Sequence, residues 1–146
     1  MPQSYHKIWI HLIWGTKERF PVLTSDLLPQ VLQHIRARAE QEGYLLDAIN
    51  GTADHIHCLI EIGLTHNVST IANLLKGESS HWINAGKLTG SHFAWQEGYG
   101  AFSVSASQLD KVRDYIKNQK EHHRQKTYRE ELDEFLKAYD IGEQRP

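Results

Sequence analysis

The chain has 146 residues, a single cysteine and a net charge of −2. That length suits one domain, 1–146, which buries roughly 70% of its unfolded surface and so holds a core without staples. Lone Cys58 excludes an internal disulfide framework. No apolar run approaches the roughly 18 residues of a membrane span, and no signal peptide opens the sequence, so the expected location is cytoplasmic, with no membrane partner.

Residues 5–16 are β-branched and aromatic and predict a first strand. After the connector Phe20-Pro21-Val22-Leu23, Thr24 or Ser25 can cap a helix to about Glu42, with Leu28, Val31, Leu32, Ile35 and Ala39 on one face. Gly43 ends it. Tyr44 to Ile49 predicts a second strand, Asn50-Gly51 starts a turn, and His55 to Ile62 predicts a third strand, making 44–62 a hairpin. Asn67 or Ser69 opens a second helix through Ile71, Leu74, Leu75, Trp82 and Ile83, closed by Gly86. Short strands are expected at Phe93 to Gln96 and Ala101 to Val104. Ser107 caps a third helix to about His122, and Thr127-Tyr128-Arg129-Glu130 is a capping-box pattern that begins a last helix. The order β-α-β-β-α-β predicts an α+β, ferredoxin-like (RRM-like) fold. Its antiparallel sheet carries helices on one face and leaves the other open, and C-terminal helices follow.

Charge is unevenly spread. Lys111, Arg113, Lys117, Lys120, Arg124, Lys126 and Arg129 face only Asp114 and Glu121 over the same stretch, and acid follows at Glu130, Glu131, Asp133, Glu134, Asp140 and Glu143. A solvated helix face explains this as readily as a phosphate-binding surface.

In the third strand Ile56, Cys58, Ile60 and Ile62 point one way, and His55, His57, Leu59 and Glu61 the other. The apolar set belongs against the helices, which puts both imidazoles side by side on the opposite face, close enough to share an ion. With 10 histidines present, an H-x-H pair also arises by chance, so metal binding and coincidence both stand at this point. Tyr115 and Gln119 are four apart and neighbours on one helix face, at the edge of the Leu109–Val112–Ile116 stripe. A boundary tyrosine with a wetted hydroxyl is the plainer reading.

Four pieces together resemble the single-tyrosine HUH transposases of small bacterial insertion sequences. They are Asp54-His55-Ile56-His57, Leu75-Lys76-Gly77, the run from Trp95 to Ser105 (WQEGYGAFSVS), and Tyr115-Ile116-Lys117-Asn118-Gln119. They stand in the family's order and spacing over nearly the whole chain. The resemblance implies a single-stranded DNA transposase in which His55, His57 and Gln119 hold a divalent ion, Mg²⁺ or Mn²⁺, and Tyr115 is the nucleophile. It implies hairpin-bearing element ends as substrate. It further implies a homodimer in which the tyrosine helix can serve the partner's histidines. Lys111, Arg113, Lys117 and Lys120 are then candidate phosphate contacts, and Trp9, Trp14 or Tyr99 candidate platforms for unpaired bases.

The chemistry suits these groups. Hydrolysis would lose the energy of the phosphodiester, whereas a tyrosine ester keeps it for rejoining. A phenol of pKa about 10 is ionised in only about one molecule per thousand at pH 7, a penalty of roughly 4 kcal/mol that the site has to offset. Lys117 or Lys120 can lower that pKa, or a water or substrate oxygen can take the proton, and the sequence does not choose between them. His122 and His123 are further candidate bases, with plain solvent exposure as the alternative. Two other readings are a non-catalytic nucleic-acid-binding module on the same fold and a metal phosphoesterase that uses water, which would not need Tyr115.

Overall fold

The computed structural model describes residues 3–123 and 125–142, with His122 by its backbone alone. Arg124, Glu143 and the side chain of His122 therefore lie outside the described residues. Four strands, β1 (Ile8–Gly15), β2 (Leu45–Gly51), β3 (His55–Ile62) and β4 (Gly100–Val104), form one antiparallel sheet in the order β2-β3-β1-β4. Helices α1 (Leu27–Gln41) and α2 (Val68–Ala85) follow β1 and β3. The ferredoxin-like α+β architecture is thus present.

Local chemistry accounts for the helices. The Thr24 hydroxyl accepts from Leu27 N at 3.2 Å, Asn67 caps α2 through Thr70 N, and Gly43 leaves α1 at φ +82°, a region that favours glycine. Val31, Ile35 and Ala39 of α1 and Ile71, Leu75 and Ile83 of α2 are buried against Leu12, Trp14, Ile56, Cys58 and Ile60. The alternation expected for β3 holds on this side.

The other face of the sheet is not open. Helix α3 (Leu109–Lys117) packs Leu109 and Ile116 on Leu59, beside Trp9 and Val104. Helix α5 (Tyr128–Ala138) packs Tyr128, Leu132, Phe135 and Leu136 on Ile13 and Phe102. Burying each such side chain is worth roughly 1.5–3 kcal/mol, enough to close the face. The Thr127–Glu130 capping box is formed.

Several boundaries differ from expectation. The first strand starts at Ile8, since nothing pairs with residues 5–7 in the sheet register. Asn50 and Gly51 belong to β2, paired with His57 and Ile56, and the turn begins at Thr52. A Cβ at Gly51 would stand 2.4 Å from His55 O, so glycine is there for the close return of the chain. Phe93 to Gln96 makes only a single bridge, Thr16 to Trp95. The expected long third helix breaks at Asn118 (φ −100°, ψ 26°), and a short α4 (Gln119–His122) follows. The Asn50 amide donates to Ile116 O and Lys117 O, 3.0 Å each, and so caps α3 where it ends.

Candidate metal centre and nucleophile

His55 and His57 both point into the space between the sheet and α5, and both are fully buried. Each is held by its Nδ1. His55 Nδ1 donates to Asp54 Oδ1 at 2.8 Å, and Thr52 Oγ1 lies 2.8 Å from the same nitrogen. His57 Nδ1 lies 2.8 Å from His11 Nε2 on the neighbouring strand. These partners turn both Nε2 atoms inward, the arrangement that orients imidazole for a metal.

The inward nitrogens converge on one carboxylate oxygen. Glu131 Oε1, from the first turn of α5, lies 3.2 Å from His55 Nε2, 2.9 Å from His57 Nε2 and 3.2 Å from His123 Nε2. One ligand atom from each of these four residues can be chosen so that all lie within 4.8 Å of one another. The other oxygen, Oε2, accepts a hydrogen bond from the Tyr115 hydroxyl. Gln119 is fully buried, its Oε1 3.3 Å from His55 Nε2 and its Nε2 donating to Tyr115 O at 3.3 Å. Tyr115 and Gln119 therefore stay together across the break at Asn118. The donor set, imidazole nitrogens with amide and carboxylate oxygens, fits a divalent cation.

The electrostatics follow from burial against pairing. Burial opposes charge on Glu131, but hydrogen bonds from His123, His55 and His57 hold its carboxyl well below the usual range. Burial also opposes charge on His55, yet the Asp54 and Glu131 carboxylates prevail and raise its pKa. Burial prevails at His57, lowered to about 4, and at His11, lowered to about 3. Tyr115 is pushed upward by burial and by the adjacent Glu131, so the phenol is firmly protonated here. Beside it a cavity of about 340 Å³ is lined by His11, Lys111, Val112, Tyr115, Glu134, Phe135 and Ala138.

Residues 4–119 match the model of the family described as "Transposase IS200 like". The chain belongs to the IS200-like transposase family. It is 25% identical over 120 residues to the ISDra2 transposase TnpA of Deinococcus radiodurans, covering 78% of this chain and 85% of that protein. A Deinococcus radiodurans R1 crystal structure assigned as a transposase superposes with a TM-score of 0.64 at 26% identity, over 82% of this chain and 98% of that one. A REP-associated tyrosine transposase bound to a REP hairpin shares the fold, with a TM-score of 0.57 at 19% identity over 81% of this chain and 70% of that one.

As an IS200-like transposase, the chain brings His55, His57, Tyr115 and Gln119 into one chamber within a single chain. Of the basic residues singled out, Lys111, Lys117 and Lys120 are exposed. Arg113 instead directs its fork at Asp47 (Nε to Oδ1 and Nη2 to Oδ2, 2.8 Å each) and also meets Asp110, tying α3 to β2. Trp14, a suggested base platform, is fully buried, edge-on to Trp95, and Tyr99 packs against the same core. The WQEGYG run has a scaffolding role. Trp95 Nε1 donates to Ser79 Oγ at 2.9 Å, and Lys76 Nζ reaches Gln96 O and Gly98 O at 2.8 and 2.7 Å. Sequence reasoning missed His11 and Glu131. His11 had a signal, since alternation in β1 puts it on the face of Ile13. Glu131 had none beyond its place after the capping box. Among the described residues no helix is long and apolar enough to cross a membrane.

Proposed function

We propose that the chain cleaves and rejoins single-stranded DNA at insertion-sequence ends, with Tyr115 as nucleophile and His55, His57 and Gln119 holding Mg²⁺ or Mn²⁺. The observation that carries this reading is the meeting, within one chain, of the Tyr115–Gln119 pair and two histidines whose Nε2 atoms are turned inward by partners on Nδ1. When bound, the ion would act as a Lewis acid toward the scissile phosphate.

The Tyr115 oxygen attacks phosphorus, and the bond to the 3′ oxygen breaks. The products are a 5′-phosphotyrosine ester and a free 3′-hydroxyl, and in the net balance the phenol proton ends on the released oxygen. The reverse attack by a 3′-hydroxyl rejoins strands and frees the tyrosine. Exposed Lys111, Lys117 and Lys120 neutralise backbone phosphates along α3 and α4. The hairpin held by the solved REP-associated relative makes hairpin-bearing ends the substrate to use. A homodimer that holds two ends together completes the reading.

Incubation with hairpin-bearing single-stranded element ends and Mn²⁺, followed by denaturing electrophoresis, tests this. A covalent protein–DNA band is expected for the native chain. Tyr115→Phe should bind the same DNA and yield no band. Undiminished cleavage by that variant would rule the tyrosine out in favour of a water nucleophile.

A further inference from the structure

We infer that Glu131 is itself a ligand of the metal centre, with His123 beside it, so that helix α5 is part of the site and not merely its cover. The inference rests on the reading of His55 and His57 as metal ligands. The matched family region ends at residue 119, so neither Glu131 nor His123 belongs to it.

Three observations carry it. First, Glu131 Oε1 is the point on which the Nε2 atoms of His55, His57 and His123 converge, at 3.2, 2.9 and 3.2 Å. A side chain that merely neutralised one histidine would not sit at the common focus of three. Second, the donor chemistry is incomplete without it. Two imidazoles and an amide offer a hard cation one uncharged oxygen, whereas Mg²⁺ and Mn²⁺ favour carboxylate oxygen. Glu131, 2% exposed, supplies the anionic oxygen from inside the chamber. Third, the carboxylate is held in place from several sides. The capping box fixes the first turn of α5, and Tyr128 stacks on His55 with ring centroids 4.4 Å apart. The Nε2 of His123 is buried and lies 3.2 Å from Oε1, which sets a third imidazole nitrogen at the edge of the cluster.

The second oxygen adds a function. Since Oε2 accepts the Tyr115 hydroxyl, one carboxylate would link the nucleophile to the ion and fix how far apart they stand.

The test is Mn²⁺ binding without DNA, read by electron paramagnetic resonance on chelator-stripped protein, for the native chain and for Glu131→Gln, His123→Ala and His57→Ala. Far-UV circular dichroism and thermal melting of the metal-free proteins check that each variant is folded. Glu131→Gln keeps the size and one acceptor but removes the charge, so a folded protein with Mn²⁺ affinity reduced by at least about tenfold is expected. His123→Ala should weaken binding to a smaller degree. Unchanged or tighter binding by Glu131→Gln overturns the inference, since Glu131 would then be a counter-ion competing for the site. If His57→Ala also binds Mn²⁺ as the native chain does, the ion is not at these histidines, and the metal assignment of the proposed function fails with it.

Discussion

The ring of Tyr128 lies almost flat on that of His55, centroids 4.4 Å apart and planes 14° from parallel, and Gly15 makes room for it. Gly15 pairs with His55 across β1 and β3. A Cβ at position 15 would stand 2.7 Å from Tyr128 Cε2 and 3.1 Å from Gln96 Oε1. Gly15→Ala is therefore expected to push α5 outward at its first turn. Thermal melting should register a loss of about 1–3 kcal/mol, and Mn²⁺ affinity should fall with it. An unshifted melting temperature would mean that the ring yields freely.

Asn50 holds the end of the tyrosine helix. Its amide donates to Ile116 O and Lys117 O, flanking the break that separates Tyr115 from Gln119. Asn50→Ala leaves those carbonyls without this donor, at a cost of about 1–3 kcal/mol. Because Tyr115 loses its fixed position more than the lysines do, cleavage rate should drop further than DNA affinity. Equal losses in both would place Asn50 outside the chemistry.

The Asp47–Arg113 pair gives a pH signature. Hydrogen bonds from Arg113 hold the Asp47 carboxyl below its ordinary 3.8, against a smaller effect of burial. A depressed carboxylate pKa contributes stability above the unfolded value and loses it as pH falls through the folded one. Asp47→Asn should thus lower the melting temperature near neutrality, with the difference closing below about pH 4. DNA binding separates the same arginine from its neighbours. Lys117→Ala and Lys120→Ala should each reduce the slope of log affinity against log salt by about 0.7 for a single strand. Arg113→Ala, already paired with two carboxylates, should change the slope less.

Assembly within one chain predicts the outcome of mixing. Tyr115→Phe and His57→Ala, each inactive, should remain inactive when co-refolded, because neither polypeptide carries an intact set. Recovery of cleavage toward about a quarter of the native level, one intact site in each mixed dimer, would mean that tyrosine helices are exchanged between copies.

Much of this site is legible before folding, for a physical reason. The strict alternation of Ile56, Cys58 and Ile60 fixes the phase of β3, and with it the direction of His55 and His57. Helical spacing keeps Tyr115 near Gln119 even though Asn118 interrupts the helix. What the pattern does not contain is where an amphipathic helix docks. The apolar positions of α3 and α5 are evident, but only tertiary contact shows that they cover the histidine face. For the same reason Glu131 reads as one more acid in an acidic tail, although it is buried among imidazoles. Asn50-Gly51 reads as a turn because local propensity favours one there, while pairing with His57 and Ile56 extends the strand through both residues.

The chamber also reaches past the matched family region. That region ends at residue 119, whereas Tyr128 and Glu131 form a wall of the chamber from beyond it. Substitutions in α5 can therefore reshape the surroundings of His55 and His57 while every hallmark residue stays as it is, so two relatives alike in their signature motifs need not behave alike at the bench.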